Sequence, residues 1–279
     1  MKIIVTGAAG QLGSEIVERF AGRAEIVPVT RQTLDLGDGR AVESFLSAQV
    51  PDVVINCAAY NNVDGAEDNA AEALRVNALA VRALAQGAAR AGAALVHYGT
   101  DFVFDGRADR PYNEEDPPAP QSVYAQSKLL GEWFAADVSR HYVLRVESLF
   151  GGRARRSTVD RIVDAIRAGQ PSKVFTDRTV SPSYVQDVAA ATWHLLSSGA
   201  PAGLYHCVNS GVTTWYELAQ EIGRILGVEA DLVPMTIAEM PMKAARPQYA
   251  ALSNAALARA GFRMPAWDDA LRRYLTAAV

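Results

Sequence analysis

The chain has 279 residues, enough for one large domain or for a domain with a smaller lobe. Its formal net charge of −4 and its lack of Lys/Arg blocks argue against nucleic acid and membrane surfaces as partners. No run approaches the roughly 18 apolar residues of a membrane span, and the chain opens on a strand pattern, so we expect no signal peptide. Cys57 and Cys207 lack metal-ligand spacing and indicate buried thiols of a cytoplasmic protein.

The first 150 residues alternate short β-branched runs with longer helical patterns, which is typical of βαβ units around a parallel sheet. The strand-like runs are 2–7, 24–30, 51–60, 93–104 and 142–150. The helical patterns are 11–22, 39–49, 70–92 and 123–133, and a loop rich in Pro, Asp and Glu occupies 105–122.

After Gly151 the alternation loosens. The pattern predicts helices at 157–170, 181–199 and 213–227, and a strand at 203–209. The last of these helices starts with threonines suited to an N-cap and ends at Gly227, a residue suited to a C-cap. This second part of the chain therefore indicates a smaller α/β lobe.

A glycine loop joins the first strand to the first helix. In "VTGAAGQLGSEI", Gly7, Gly10 and Gly13 let the backbone turn sharply and approach a pyrophosphate at the positive end of the helix. The order of strand, loop and helix predicts dinucleotide binding. We therefore expect a Rossmann-type, doubly wound parallel sheet.

The domain boundaries follow from this reading. Residues 1–150 form the predicted NAD(P)-binding domain, and 175–200 are expected to return to it. The smaller C-terminal α/β lobe, predicted to bind the substrate, comprises 151–174 and 201–279.

The end of the second strand bears on which dinucleotide binds. It reads "VPVTRQ", with no carboxylate to take the ribose hydroxyls of NAD, whereas Arg31 can pair with a 2′-phosphate. A solvated loop arginine is the alternative. Asp35 and Leu36 follow at a distance suited to the adenine, although "LDLGD" also suits a turn into the next helix. NADPH is the favoured cofactor, and NADH stays open.

The stretch "VYAQSKLLGEW" carries Tyr124 and Lys128 on one face of a predicted helix. This spacing also occurs by chance on surface helices. Here, however, the pair follows a strand that contains Thr100, beyond a nucleotide loop. A phenol that titrates near pH ~10 needs help to exchange a proton at neutral pH, and a nearby ammonium lowers the pKa of such a phenol. We therefore expect Tyr124 and Lys128 to be catalytic, with Thr100 bonded to the substrate oxygen.

The glycine loop, the threonine and Y-x-x-x-K together resemble the extended short-chain dehydrogenase/reductase superfamily. The resemblance narrows on "NCAAYNNVDGAEDN", "GTDFVFDG", "SPSYVQDVA", "GLYHCVNSGVTTWYELA" and "ARPQYAALSN", which are similar to the dTDP-4-dehydrorhamnose reductase family from residue 1 to about 257. That resemblance implies a cytoplasmic enzyme, with a homodimer as its candidate assembly. Its implied reaction reduces the 4-keto group of dTDP-6-deoxy-L-lyxo-4-hexulose with NADPH or NADH to give dTDP-L-rhamnose.

The same resemblance implies residue roles. The implied catalytic residues are Thr100, Tyr124 and Lys128. The implied cofactor contacts are Gly10, Gln11 and Leu12 at the pyrophosphate, Asp35 and Leu36 at the adenine, and Ala58, Ala59, Tyr60 and Asn61 on the nicotinamide side, with Tyr124 and Lys128 again. The implied substrate contacts are Thr100, Asp101 beside the sugar, Leu149, and Arg246 at the diphosphate, where a structural arginine is the alternative.

The chain departs from the family where the sugar binds. The family reads close to R-T-S-W-V-Y-G after the strand ending near Arg145, whereas this chain reads "RVESLFGG". We expect Leu149 to replace the tryptophan, with Glu147 nearby. Arg178 occupies a position where the family has glutamine, and Asn61 occupies one where the family often has threonine. A different 4-keto sugar nucleotide therefore stays open.

The sequence leaves metal binding open. Some members bind Mg²⁺ through glutamates at a dimer contact; Glu15 fits one of these positions, but Gln186 occupies another. We therefore name no metal-ligating residue, and the use of Mg²⁺ stays open.

Two other functions remain as alternatives. An epimerase or dehydratase of the superfamily needs further acid/base groups, typically an Asp-Glu pair after the threonine; here Asp101 precedes Phe102, which cannot transfer protons. The regulatory subunit of methionine adenosyltransferase resembles the same family without catalysing the reduction, so a binding subunit is the second alternative.

Overall fold

A computed structural model describes residues 1–277 of the chain. The strands are β1 (Lys2–Thr6), β2 (Glu25–Val29), β3 (Val53–Asn56), β4 (Ala94–Thr100), β5 (His141–Val146), β6 (Leu149–Phe150), β7 (Ser172–Phe175), β8 (Thr179–Val180), β9 (Ser183–Tyr184), β10 (Gly203–His206), β11 (Thr213–Thr214) and β12 (Leu232–Met235). The α-helices are α1 (Gln11–Phe20), α2 (Gly39–Gln49), α3 (Val63–Asp68), α4 (Ala70–Leu74), α5 (Ala80–Ala91), α6 (Val123–Ala136), α7 (Thr158–Arg167), α8 (Val185–Ser197), α9 (Trp215–Leu226), α10 (Ala255–Arg259) and α11 (Trp267–Ala277).

Six strands form one parallel sheet in the order β10-β5-β4-β3-β1-β2. Every residue of β3 and of β4 is buried, as expected for a parallel sheet covered by helices on both faces. The strand order reverses between β1 and β3, and open α/β sheets bind ligands at the carboxyl ends of strands beside such a switch point. The predicted Rossmann-type fold is therefore confirmed.

The two faces of the sheet carry separate hydrophobic layers. Because side chains alternate along a strand, Ile3 and Val5 join one layer, while Ile4 joins the other. The first layer contains α1 and α8, which pack together, and the second contains α2 and α5. Of the helices within 1–277, none combines the length and hydrophobicity that crossing a membrane requires.

The second part of the chain adds three small sheets, which pair β12 with β7, β11 with β8, and β6 with β9. One segment differs from the predicted boundary. Residues 203–206 form β10, which pairs in parallel with β5 and lies at the edge of the main sheet. The lobe boundary predicted at residue 201 is therefore too early, because the apolar strand completes the large sheet instead of leaving it.

Several predicted elements have different ends. The strand predicted at 51–60 stops at Asn56, whose side chain accepts a hydrogen bond from the backbone N–H of Ala58. The strand predicted at 142–150 breaks into β5 and β6 at Ser148, which has a φ of 46°. The helix predicted at 70–92 contains a π-helical turn at Arg75–Leu79.

Among the elements that were not predicted in their observed form, two follow β3 and β4 directly beside the cleft. The helix α3 was missed; Asn62 caps it by accepting a hydrogen bond from the backbone N–H of Gly65. After β4, residues Asp101–Val103 leave the strand as a 3₁₀ turn, which the Thr100 hydroxyl caps by accepting from Phe102 N. Both features follow from local caps that hydrophobic periodicity does not report.

Candidate active site

A continuous cleft runs along the carboxyl ends of β1, β3 and β4. It consists of two cavities of about 340 and 450 Å³, which share five lining residues. The shared residues are Gly10, Cys57, Ala58, Ala59 and Asn61. The first cavity extends towards the end of β2, and the second extends towards Thr100 and α6. One elongated ligand can therefore occupy both.

The glycine loop has the geometry that a pyrophosphate needs. Gly7 has a φ of 66°, and a Cβ atom there would lie 2.6 Å from the backbone N of Ala58. A Cβ atom on Gly13 would collide with the carbonyl of Gly7, so only glycine lets the helix pack this closely on the loop. Gly10 precedes α1, and no side chain within 1–277 caps this helix end. The first N–H groups of α1 are left to an anion.

The first cavity ends in a cluster of charged side chains. Arg31, Asp35, Glu72 and Arg75 all line it, together with Leu36. Arg75 donates to Asp35 at 3.0 Å and to both oxygens of Glu72 at 2.7 and 2.9 Å. Hydrogen bonds from the Gly37 N–H and from Arg75 hold the pKa of Asp35 below its usual value. Sequence reasoning missed Arg75, because only the fold brings it beside the loop after β2.

The second cavity contains the predicted catalytic residues. Thr100, at the end of β4, and Tyr124 and Lys128, on α6, all line it and all are at least 92% buried, with exposed fractions of 5%, 8% and 3%. Ser122 begins α6 by accepting a hydrogen bond from the backbone N–H of Ala125. The helix cap and the strand end therefore bring the three side chains to one wall of the cleft.

Asn77 joins this wall to the loop after β3. Its side chain accepts a hydrogen bond from Tyr60 N at 2.8 Å and donates to Tyr60 O and to the Ser127 hydroxyl. The chain around Ala59 and Tyr60 is thus fixed relative to α6. Sequence reasoning missed Asn77, which lies within the π-helical turn and carries no motif of its own.

The protonation states in the cleft differ from the sequence expectation. Lys128 was predicted to lower the pKa of Tyr124, but burial and the nearby Asp101 carboxyl raise that pKa above its usual value, against a hydrogen bond from Thr100. Lys128 donates instead to the carbonyl oxygen of Tyr98 at 2.5 Å. Burial lowers the pKa of Lys128 to about 8. In this state Tyr124 keeps its proton at neutral pH.

Three buried charged residues lie in or near the wall of the second cavity. Asp101, Glu147 and Arg178 are exposed by 2%, 1% and 9%. Burial raises the pKa of Asp101 to about 6, against the Arg178 charge. Burial and the Asp101 charge raise the pKa of Glu147 well above its usual value. At neutral pH this favours an ionised Asp101 beside a protonated Glu147.

Most of the predicted site residues line the cleft. The cleft is lined by Gly7, Gly10, Gln11, Leu12, Arg31, Asp35, Leu36, Ala58, Ala59, Tyr60, Asn61, Thr100, Asp101, Tyr124, Lys128 and Leu149. Gly13 packs against the carbonyl of Gly7. Arg246 is the exception: it does not line either cavity, and its guanidinium pairs with Asp64 on α3. Trp215, which sequence reasoning had not singled out, lines the second cavity.

The tryptophan position of the family pattern needs a correction. Counted residue by residue from Arg145, R-T-S-W-V-Y-G sets its tryptophan against Ser148 and its valine against Leu149. Both residues line the second cavity, but Leu149 also packs against the main hydrophobic layer and pairs with Ser183. The tryptophan position therefore belongs to Ser148.

Together with the fold, this cleft places the chain among the α/β oxidoreductases that bind a dinucleotide at the switch point of a parallel sheet. The chain belongs to the family described as RmlD substrate binding domain, whose model matches residues 1–279. The family resemblance predicted from the motifs is thereby confirmed.

Three relatives show how close the similarity is. The chain is 34% identical over 275 residues to the spore coat polysaccharide biosynthesis protein SpsK of Bacillus subtilis, with 98% of this chain and 96% of that protein covered. It is 38% identical over 286 residues to a dTDP-4-dehydrorhamnose reductase of Mycobacterium tuberculosis, with 99% and 93% covered. The crystal structure of dTDP-4-dehydrorhamnose reductase from Bacillus anthracis in complex with NADP superposes with a TM-score of 0.94 at 30% identity and covers 99% of both chains.

Proposed function

We propose that the protein is an NADPH-dependent reductase of the 4-keto group of a nucleotide-linked 6-deoxy sugar. Its first candidate substrate is dTDP-6-deoxy-L-lyxo-4-hexulose, which would give dTDP-L-rhamnose. The observation that carries the proposal is the single cleft in which Thr100, Tyr124 and Lys128 face the end of a glycine loop. The reductases among its relatives, and the NADP complex of one of them, support it.

The residues of the cleft suit NADPH. The uncapped end of α1 and the close glycine contacts provide a seat for the pyrophosphate at Gly10, Gln11 and Leu12. Arg31, at the far end of the cleft, is in position to meet a 2′-phosphate. The loop from Ala58 to Asn61, fixed by Asn77, would border the nicotinamide side. NADH would use the same seat without the contact to Arg31.

The chain's own residues then perform the proton chemistry. When bound, NADPH would supply the hydride for the carbonyl carbon of the sugar. The Tyr124 phenol gives its proton to the carbonyl oxygen, and the Thr100 hydroxyl, which here donates to Asp101 Oδ1, would turn to donate to the same oxygen. The products are the alcohol, the oxidised cofactor and the Tyr124 phenolate. The Lys128 ammonium stabilises that phenolate, which regains a proton from solvent.

The proposal also covers the role of the C-terminal lobe, the location of the protein and its assembly. The C-terminal lobe, taken as 151–174 and 207–279, would hold the nucleotide sugar against the cleft. The family resemblance supports a cytoplasmic location and a homodimer as parts of this proposal.

Steady-state oxidation of NADPH tests the proposed function. The purified protein is mixed with NADPH and a panel of nucleotide-linked 4-keto-6-deoxy sugars, and absorbance is followed. Turnover of at least one sugar, abolished by Tyr124→Phe, is the expected result. A protein that binds NADPH but reduces none of the panel would instead favour the binding-subunit alternative.

A different 4-keto sugar is the second candidate substrate. Ser148 favours it, since it lines the cleft at the position where the family pattern has tryptophan. The relation to SpsK, a spore coat polysaccharide biosynthesis protein, also leaves the sugar open. Comparison of kcat/KM across the panel decides between the candidates.

A further inference from the structure

Arg178 is a buried arginine whose side chain makes no hydrogen bond within the described chain. Only 9% of its surface is exposed, and its Nε finds no hydrogen-bond acceptor among residues 1–277. Its guanidinium carbon lies 5.5 Å from the ring centroid of Phe102, and the side chain lines the second cavity. A guanidinium carries five N–H donors, and a buried donor without an acceptor is costly. Arg178 is therefore poised for an acceptor that this chain does not supply.

The neighbouring carboxyls also have unsatisfied oxygens. Asp101 Oδ1 accepts a hydrogen bond from the Thr100 hydroxyl at 3.0 Å, but Asp101 Oδ2 has no partner within 1–277. Glu147 Oε2 accepts from Ser181 N at 2.6 Å, and Glu147 Oε1 also lacks a partner there. Native proteins leave few such groups, and each calls for an explanation, such as a ligand.

The mixture of donors and acceptors identifies the missing ligand group. A hydroxyl both donates and accepts, so it satisfies a guanidinium and a carboxylate at the same time. A diphosphate only accepts, and the charge of Asp101 would repel it. The carbonyl oxygen also only accepts, and it is the expected partner of Thr100 and Tyr124. Sugar hydroxyls fit this cluster best.

We propose that Arg178 and Asp101 form a hydroxyl-binding subsite that selects a sugar with a free hydroxyl next to the keto carbon. The place of the hydroxyl follows from the position of Asp101 directly after Thr100, because both line the cavity and Thr100 would meet the carbonyl. The inference rests on the proposed function and narrows its substrate class. Glu147 does not line the cavity and is not part of the subsite.

Ligand binding tests the subsite without requiring turnover. Calorimetry measures the Kd of dTDP-L-rhamnose and of dTDP with NADP⁺ present, for the wild type, Arg178→Gln and the exposed control Arg161→Gln. Loss of a charge-assisted hydrogen bond should weaken dTDP-L-rhamnose roughly 10- to 100-fold in Arg178→Gln and leave dTDP within about twofold. Arg161→Gln should change neither constant.

Three outcomes would overturn the proposal. Equal weakening of both ligands would assign Arg178 to the diphosphate, and no weakening would make it structural. A wild type that binds dTDP-L-rhamnose no better than dTDP would also contradict a sugar-reading subsite. If Arg178→Gln does not fold, Arg178→Lys takes its place: the charge remains but the planar fork is lost, so selective weakening of the sugar nucleotide is still expected.

The binding experiment also separates the two proposals: failure of NADPH oxidation removes the proposed reduction, whereas selective weakening in Arg178→Gln still supports the subsite.

Discussion

Asp64 and Arg246 form a two-bond ion pair between residues 182 positions apart in the chain. Both bonds are 2.8 Å long, and the same carboxylate accepts hydrogen bonds from the backbone N–H groups of Lys243 and Ala244. Hydrogen bonding to Arg246 and to these amides lowers the pKa of Asp64 to about 2. The pair fastens the segment before Pro247 to α3, close to the cleft.

This pair leads to a first prediction about stability. Asp64→Asn and Arg246→Gln should each destabilise the fold, and the double variant should show a coupling of only about 0.5–1 kcal/mol, because the Asp64 side chain is 44% exposed. Urea unfolding of the wild type and the three variants measures the coupling. A KM for the nucleotide sugar that rises in Arg246→Gln but not in Asp64→Asn would instead support the diphosphate role predicted from the sequence.

The catalytic prediction concerns Tyr124. Removal of its hydroxyl leaves hydride transfer without a proton donor, and general acid catalysis contributes about 10²–10⁴-fold. Tyr124→Phe should therefore fold, bind NADPH and lose turnover by a factor in this range. Tyr216→Phe, on α9 and outside the cleft, is the matched control and should keep its activity. Turnover close to that of the wild type in Tyr124→Phe would remove Tyr124 as the donor.

Cofactor preference provides a third prediction. If Arg31 pairs with the 2′-phosphate, Arg31→Ala should weaken NADPH by about 1.5–3 kcal/mol and leave NADH nearly unchanged. Fluorescence titration gives both dissociation constants. Arg40→Ala, which replaces an exposed arginine outside the cavity on the neighbouring helix α2, tests for a general charge effect. Equal affinities for the two cofactors that Arg31→Ala does not alter would refute the assignment.

The raised pKa of Asp101 predicts a pH dependence of stability. An unfolded aspartate loses its proton near pH ~4, whereas burial raises the pKa of Asp101 to about 6 in the folded chain. Below both values the two states are protonated alike. As the pH rises from one value to the other, the folded state binds more protons than the unfolded state, so the stability contribution of Asp101 is lost, and above pH ~6 the loss is constant.

Asp101→Asn removes this titration. The free energy of unfolding of the variant, relative to the wild type, should therefore rise between pH ~4 and pH ~7 by at most about 3 kcal/mol. The variant also lacks the Asp101 charge that raises the pKa of Glu147, and this increases the free energy of unfolding in the same direction. Urea unfolding at three pH values measures this difference. A difference that does not vary with pH would show that Asp101 is not protonated in the folded chain.

Local patterns predicted the parts of this protein that depend on neighbours in sequence. The glycine loop, the central strands and the helix with Tyr124 and Lys128 all carry a signal within about ten residues. Arg75, Asn77 and Trp215 carry no such signal, because their roles depend on packing between distant elements. The Lys128 amine shows the same limit: its spacing from Tyr124 was visible, but its hydrogen bond to Tyr98 O depends on how α6 lies on β4.

The final prediction concerns the sugar side of the cleft. Ser148 lines the cavity at the position where the family pattern has tryptophan. An aromatic ring buries much more area against a sugar than a serine does. Ser148→Trp should therefore lower KM for dTDP-6-deoxy-L-lyxo-4-hexulose and leave kcat nearly unchanged, since Thr100, Tyr124 and Lys128 remain.

Leu149→Trp is the control for this change. Leu149 packs against the main hydrophobic layer, so a larger ring there should overpack the site and destabilise the fold by about 1–3 kcal/mol without improving KM. Initial rates and thermal unfolding of both variants separate the two positions. An unchanged kcat/KM in a well-folded Ser148→Trp would mean that the tryptophan position does not set the preference for this sugar, which would then depend on Arg178 and the Asp101 carboxyl beside it.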